Sequence, residues 1–215
     1  MAEGQRQRSA PLRLGLLASH GGSNLAAILD ASRSGRLPAE PRVVIVNNSR
    51  APAFARAQAA DVPVYHLSSA THPDPDELDR AIAAVLEQHG VELVALAGYM
   101  KRLGPLTVAR WHGRIVNIHP ALLPRFGGQG MYGMRIHEAV LAAGETVTGV
   151  TIHLVDEEYD NGPVVAQTEV PVQPGDTPET LAARVLRREH EFYVETLARI
   201  SQGELALPGL VRTLV

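Results

Sequence analysis

Cysteine is absent from the 215-residue chain. Thiol nucleophiles, disulfides and cysteine-ligated zinc are therefore excluded. Aromatic residues make up only 4% of the sequence while hydrophobic residues make up 45%, so a sizeable core has to be aliphatic, as in parallel sheets rich in Val, Leu and Ile. An excess of positive charge is also missing. The net charge of -3 argues against nucleic-acid binding as the main role.

Long hydrophobic runs are missing from the first eleven residues, MAEGQRQRSAP. We interpret residues 1–11 as a disordered tail that is neither a signal peptide nor a membrane anchor. The expected protein is soluble and cytoplasmic. Its length fits one α/β domain, which we place at residues 12–201, followed by a C-terminal extension over residues 202–215.

Short apolar runs alternate with helical patterns along most of the chain. This alternation predicts a three-layer α/β fold, with a mostly parallel, twisted sheet and helices on both faces. Two long apolar runs, at residues 147–155 and 163–172, flank an acidic turn and predict an antiparallel C-terminal strand pair. A final helix is predicted over residues 178–200, with Thr177 as its cap.

Asn117 and His119 stand at the end of an apolar run, in the hexapeptide VNIHPA of residues 116–121. Alternate side chains of an extended strand point to the same face, so both would leave the strand together. Pro120 cannot continue a central strand, which indicates that the pair lies at a cavity mouth. An amide and an imidazole placed there can stabilise a carbonyl oxygen as it becomes an oxyanion.

A glycine-rich turn, SHGGSN at residues 19–24, separates the first predicted strand from the helix after it. Glycines let a backbone approach an anion, and the N–H groups at the start of a helix point toward it. The turn has neither the Gly-Lys-Ser/Thr of a P-loop nor a G-x-G-x-x-G fingerprint. It is a helix start capped by Ser23 or Asn24, and a candidate phosphate site.

An acidic stretch, DEEYDNG at residues 156–162, follows a predicted strand. One carboxylate that reaches His119 could orient the imidazole or raise its pKa, and Asp160 is our choice because a tight turn fixes its direction. The alternative is a solvated hairpin tip. No metal site is predicted, since the histidines lack metal-ligand spacing. His137 and His153 are interpreted as structural or supporting residues.

Four motifs, taken in this order, resemble those of the phosphoribosylglycinamide formyltransferases. They are GGSN at residues 21–24, LAGYM at 96–100, NIHPxLLP at 117–124 and Hx6DxGP at 153–163. Members of this family transfer a formyl group from 10-formyltetrahydrofolate to the amine of glycinamide ribonucleotide in de novo purine biosynthesis. The resemblance extends from about residue 12 to residue 200 and implies the formyltransferase fold.

The resemblance also implies roles for individual residues. Asn117 and His119 would bind the formyl oxygen, and Asp160 would hold His119 together with a water that shuttles protons. The nucleotide substrate would be bound by Gly22, Ser23, Asn24 and Glu189. The folate would be bound by Met100, Lys101, Arg102, Leu103 and Val155.

The resemblance extends to partners and mechanism. The N-terminal half would bind phosphate and substrate, and the C-terminal half would bind 10-formyltetrahydrofolate as co-substrate, with no metal. The partners would be these small molecules, without nucleic acid or membrane, and the protein would be a monomer or a homodimer. Direct attack by the amine needs no covalent enzyme intermediate, which agrees with the lack of cysteine. Residues 123–134, with four glycines, predict a lid.

Two alternatives stay open. A formyltetrahydrofolate hydrolase (deformylase) would carry an additional N-terminal domain, whereas only a short tail precedes the first predicted strand. A non-catalytic module that binds a phosphate ligand would keep the fold and lose the chemistry, but the joint presence of Asn117, His119 and Asp160 argues against it. Leu186 departs from the family pattern, because some members offer a polar side chain to the substrate there.

Overall fold

The computed structural model describes residues 10–210. Most of the predicted tail, residues 1–9, and the end of the predicted extension, residues 211–215, lie outside the described residues. The strands are β1 (Leu12–Ala18), β2 (Ala39–Val46), β3 (Val64–His66), β4 (Leu93–Leu96), β5 (Ile115–His119), β6 (Val147–Leu154) and β7 (Val164–Pro171). The helices are α1 (Ser23–Arg33), α2 (Pro52–Ala59), α3 (Pro75–Gln88), α4 (Pro105–Arg110), α5 (Met134–Ala142) and α6 (Pro178–Ser201).

The strands form one seven-stranded sheet in the order β3-β2-β1-β4-β5-β6-β7. The first five strands pair in parallel, whereas β6 runs antiparallel to both β5 and β7. The predicted mostly parallel sheet with an antiparallel C-terminal pair is therefore confirmed. Strand order reverses between β1 and β4, and the carboxyl ends of strands at such a switch point are where α/β sheets bind ligands.

Two apolar clusters lie on opposite faces of the sheet and account for its three layers. Alternate side chains of a strand enter different clusters. Leu14 and Leu16 of β1 join the cluster with residues of α1, α2, α5 and α6, whereas Leu17 joins the cluster with α3 and α4. The helices thus cover both faces, as the sequence predicts.

The two helix-cap predictions have different outcomes. Thr177 caps α6 through a reciprocal pair of hydrogen bonds with Thr180, as predicted. The prediction that Ser23 or Asn24 caps α1 is wrong. Gly22 occupies the cap position with φ 66, and no side chain caps the helix. The reason is space, because a Cβ on Gly22 would lie 2.8 Å from the Cβ of Ala53 in α2.

The chain after α6 packs back onto the domain as far as it is described. Leu207 is buried in the cluster that contains α1 and α6. The N–H of Gly209 donates to the carbonyl of Gly113 at 3.4 Å. Within residues 10–210, the longest helices are too short or too polar to cross a membrane.

Candidate active site

The loops after β1 and β4 are joined at the switch point of the sheet. The hydroxyl of Ser19 accepts a hydrogen bond of 2.7 Å from the N–H of Met100. The N–H of Ser19 donates to the carbonyl of Gly98 at 3.1 Å. These bonds place the glycine-rich turn of residues 19–24 beside the loop of residues 97–103, although the two segments lie far apart in the sequence.

Asn117 and His119 lie at the carboxyl end of β5, on the same face of the strand, as its alternation predicts. Leu96 of β4 pairs with Asn117 on one side, and β6 pairs on the other. His119 is buried and Asn117 is half-buried. Both side chains line a cleft of about 640 Å³.

This cleft, which we call the main cleft, brings together predicted residues from five separate parts of the sequence. The predicted site residues that line it are Asn24, Met100, Asn117, His119, Asp160 and Glu189. Gly22 and Ser23 do not line it but form the turn that leads into Asn24. A second, smaller cleft shares Asn117 and Asp160 with the first. Its walls include the remaining predicted residues, Lys101, Arg102, Leu103 and Val155.

His119 uses both ring nitrogens. Its Nε2 lies 2.8 Å from the carbonyl oxygen of Phe126 and carries the hydrogen, because a carbonyl can only accept. Its Nδ1 lies 3.5 Å from Oδ2 of Asp160. Burial lowers the pKa of His119, against the opposing influence of Asp160 and the Phe126 carbonyl. The ring is therefore mainly neutral at pH 7, and a proton added to Nδ1 would face a carboxylate.

Asp160 faces two buried histidines from a backbone with φ 53, which is unusual for a residue other than glycine. Its Oδ2 accepts a hydrogen bond of 3.0 Å from the N–H of Gly128, and its Oδ1 lies 3.5 Å from Nε2 of His153. Burial raises the pKa of Asp160, but His153, His119 and the Gly128 N–H together outweigh that effect and lower it. Asp160 is thus ionised at neutral pH.

His153 orients the amide of Asn117. Its Nδ1 donates to the carbonyl of Leu154 at 2.8 Å, and its Nε2, when it carries no proton, accepts from Nδ2 of Asn117 at 3.1 Å. One Asn117 N–H is thereby fixed, and the amide has a second N–H to donate. The sequence gives no sign of this contact, because the two residues lie 36 positions apart and meet only through the β5–β6 register.

The chain that follows His119 is held by Thr151 of β6, a residue that the sequence does not single out. The Thr151 hydroxyl donates to the carbonyl of Ala121 at 2.6 Å and accepts from the N–H of Leu123 at 3.0 Å. Gln167 of β7 donates to the carbonyl of Leu123 at 2.9 Å. The antiparallel pair therefore fixes the first part of the glycine-rich segment that forms one wall of the main cleft.

Two carbonyl groups of the turn before α1 accept hydrogen bonds from α2. Nε of Arg56 donates to the carbonyl of Gly21 at 2.9 Å, and the N–H of Ala53 donates to the carbonyl of His20 at 3.2 Å. The C=O and N–H of a trans peptide point in opposite directions, so the N–H groups of Gly21 and Gly22 point away from α2. Together with the first N–H groups of α1 they are donors that could bind an anion.

Asn24 and Glu189 form a buried polar pair in the wall of the main cleft. Nδ2 of Asn24 donates to Oε1 of Glu189 at 3.3 Å. Burial raises the pKa of Glu189 to about 7, against the opposing hydrogen bond from Asn24. Oδ1 of Asn24 is buried and has no partner within residues 10–210. This pair can therefore bind a ligand hydroxyl either by donating a hydrogen bond to it or by accepting one from it.

Taken together, the cleft offers donors for a carbonyl oxygen and a neutral imidazole beside a carboxylate, and the glycine-rich turn leads into it at Asn24. This set is suited to addition at a carbonyl carbon with transfer of a proton. In the described part of the chain, His, Asp and Glu side chains form no group of three or more that could hold a metal ion.

Comparison with known proteins places these features in a family context. A family model described as "Formyl transferase" matches residues 12–197. The phosphoribosylglycinamide formyltransferase of Mycobacterium tuberculosis is 42% identical over 207 residues, which cover 96% of this chain and 93% of that protein. The chloroplastic protein of the same name from Arabidopsis thaliana is 39% identical over 194 residues, which cover 90% of this chain. The chain spans only 66% of that plant relative's length.

Solved structures share this fold. The glycinamide ribonucleotide transformylase 1 of Symbiobacterium toebii superimposes with a TM-score of 0.86 at 37% identity and covers 100% of both chains. A formyltetrahydrofolate deformylase from Pseudomonas syringae superimposes with a TM-score of 0.81 at 25% identity, covering 94% of this chain and 66% of its own. Proteins with this fold therefore include one named as a transformylase and one named as a deformylase.

Proposed function

Because the chain belongs to the formyl transferase family, we propose that it transfers a formyl group from 10-formyltetrahydrofolate to the amino group of glycinamide ribonucleotide, N1-(5-phospho-D-ribosyl)glycinamide. The observation that carries this proposal is a single cleft lined by Asn117, His119 and Asp160 together with Asn24 and Glu189. An anion-binding turn at the start of α1 and an oxyanion site in β5 suit an acceptor that has both a phosphate and an amine.

Asn117 and His119 supply the donors for the formyl oxygen. His153 holds one N–H of the Asn117 amide, which leaves the other N–H for the substrate. His119 supplies a second donor when its Nε2–H breaks its hydrogen bond to the Phe126 carbonyl and donates to the formyl oxygen instead. Donors fixed in this way act most strongly on the oxyanion that forms when the amine adds to the carbonyl carbon.

His119 and Asp160 move the proton that the reaction releases. The folate supplies the formyl group. As the amine nitrogen bonds to the formyl carbon, that nitrogen acquires a positive charge and must lose a proton. Nδ1 of His119 accepts this proton, directly or through a water, because Asp160 stabilises the imidazolium. The proton then goes to N10 of the folate as the old carbon–nitrogen bond breaks, which yields tetrahydrofolate and the formylated amine.

The second cleft fits the proposed co-substrate. Val155 and Leu103 offer apolar surface there, and Lys101 and Arg102 are exposed cations that make no ion pair within the described residues. A folate has an aromatic body and a carboxylate tail, which match these two kinds of surface. Since this cleft shares Asn117 and Asp160 with the main cleft, a ligand in each would meet beside the same groups.

Several properties are part of the same proposal. We assign small-molecule partners only, a metal-free reaction in the cytoplasm, and either a monomer or a homodimer. Formyl transfer involves no oxidation or reduction, and the proton transfer it needs is supplied by His119 and Asp160 without a Lewis acid.

The deciding experiment compares folate product formation with and without glycinamide ribonucleotide. We expect tetrahydrofolate to appear only in the presence of the amine, in equal amount with the formylated nucleotide. Equal rates with and without the amine would mean hydrolysis, the activity named for the Pseudomonas syringae structure. No product in either case, with retained ligand binding, would favour the non-catalytic module.

A further inference from the structure

Arg135 is a charged side chain of the main cleft that the catalytic proposal leaves unused. Among the described residues that line this cleft, it is the single arginine, and no lysine joins it. Within residues 10–210 its guanidinium makes no ion pair, and it lies 5.3 Å from the centroid of the Tyr132 ring. The ring covers one face of the guanidinium and leaves its N–H donors available at the edge.

The charge balance of the main cleft calls for a cation. Asp160, which is ionised at neutral pH, lines it, and a phosphate monoester adds about −1.5 to −2 charges at pH 7. The turn before α1 offers only neutral N–H donors, and Leu186 of α6 adds an apolar side chain to the lining. A planar guanidinium binds phosphate through two parallel hydrogen bonds, so Arg135 matches the charge and the shape of the missing group.

The position of Arg135 in α5 supports the same assignment. It is the second residue of a helix whose first turn contains no acidic residue and no side-chain cap. Ile136, which follows it, is buried in the core and anchors that turn. Arg125, in the same glycine-rich wall, differs in both respects, because it pairs with Glu145 and does not line the cleft. The chain therefore provides a matched control.

We propose that Arg135 is a specificity-determining residue that binds the phosphate of the acceptor substrate, an inference that rests on the proposed function. The turn before α1 recognises the anion through backbone donors, and Arg135 supplies a positive counter-charge from the start of α5. The pair sets the preference of the enzyme for a phosphorylated over an unphosphorylated acceptor.

The test uses the full-length Arg135→Met and Arg125→Met variants with glycinamide ribonucleotide and with its dephosphorylated form. For Arg135→Met, we expect KM for the phosphorylated acceptor to rise about 10- to 100-fold. We expect kcat, and KM for the formyl donor, to stay within about threefold. The value of kcat/KM for the dephosphorylated acceptor should not change. Arg125→Met should behave as wild type, and Arg135→Lys should recover part of the lost affinity.

Two outcomes would overturn the assignment. Arg135→Met could match Arg125→Met with both acceptors, or it could lose activity equally with both, which would indicate a structural role. Calorimetric titration with ribose 5-phosphate keeps the test independent of turnover. Weaker binding to Arg135→Met alone supports the inference even if the wild type transfers no formyl group, whereas equal binding to both variants refutes it.

Discussion

At the scale of single residues, Asp160 combines an uncommon backbone with a carboxylate that faces two histidines. Asparagine keeps the shape of this side chain and tolerates a positive φ better than most residues. The substitution Asp160→Asn therefore removes the charge that stabilises the His119 imidazolium while leaving the turn intact.

We expect Asp160→Asn to lower kcat/KM for formyl transfer by about 100- to 1,000-fold. Its urea unfolding midpoint should stay close to that of the wild type. Glu157→Gln is the control, since Glu157 is an exposed carboxylate on the same segment and lies outside both clefts. Near-normal turnover of Asp160→Asn would show that another group supports His119.

The sequence predicts some of these residues and not others, for physical reasons. Asn117 and His119 follow from the two-residue period of a strand that ends at a proline. The contact of His153 with Asn117 depends on the register between β5 and β6, and no local pattern encodes it. The Phe126 carbonyl and Arg135 depend on the path of an irregular segment, where periodicity carries no information.

At the scale of secondary-structure elements, the turn between β1 and α1 is a candidate binding site whose shape depends on its backbone conformation. Gly22 and Gly35, which flank α1, both have positive φ, at 66 and 76. A Cβ on Gly22 would also collide with Ala53, whereas a Cβ on Gly35 would meet open space. Comparing alanine at the two positions separates close packing from conformational preference.

We expect Gly22→Ala to lower the free energy of unfolding by about 2–4 kcal/mol, because it adds a steric clash to the backbone cost. Gly35→Ala should lower it by only about 1 kcal/mol. Only the first variant should raise KM for the phosphorylated acceptor. Urea unfolding and steady-state kinetics check both points, and equal losses of stability would contradict the role of the α1–α2 contact.

Element boundaries show where sequence patterns stop being informative. The uninterrupted apolar run of the second strand starts only at Val43, whereas β2 begins at Ala39. Pro41 lies inside the strand, opposite Leu14, where the register between β1 and β2 shifts. In a sequence, a proline indicates the boundary of a strand. Here the strand continues through the proline, which only the irregular pairing with β1 shows.

At the scale of the whole molecule, α6 ties the C-terminal part of the chain to the centre of the sheet. The hydroxyl of Tyr193, which is fully buried, lies 3.1 Å from the carbonyl oxygens of both Leu96 and Val116. These carbonyls belong to β4 and β5, next to the point where both strands open toward the main cleft.

We expect Tyr193→Phe to lower the free energy of unfolding by about 1–3 kcal/mol, because two buried carbonyls lose their shared donor. The dependence of unfolding on urea concentration should keep its slope. Tyr65→Phe is the control, since the Tyr65 hydroxyl bonds to His89 at a half-buried site. A larger loss in the control would refute the structural role of Tyr193.

The overall architecture could be predicted from the sequence, but the order of the strands could not. Alternating apolar runs and helical patterns indicate a parallel sheet with helices on both faces. Many strand orders satisfy that pattern, and the reversal between β1 and β4 that creates the cleft is a tertiary choice. The motifs predict the residues of the candidate site, whereas the walls of the cleft around them depend on the fold.

The carbonyl of Phe126 occupies the same imidazole N–H that a reacting formyl oxygen would need. The buried donor is thus satisfied before any ligand arrives, which avoids a cost of about 1–3 kcal/mol. A bound substrate then replaces one neutral carbonyl with another, so this hydrogen bond adds little to the free energy of substrate binding. Only an oxygen that acquires negative charge outcompetes the peptide carbonyl, so in the proposed reaction the Phe126 carbonyl would favour the transition state over the substrate.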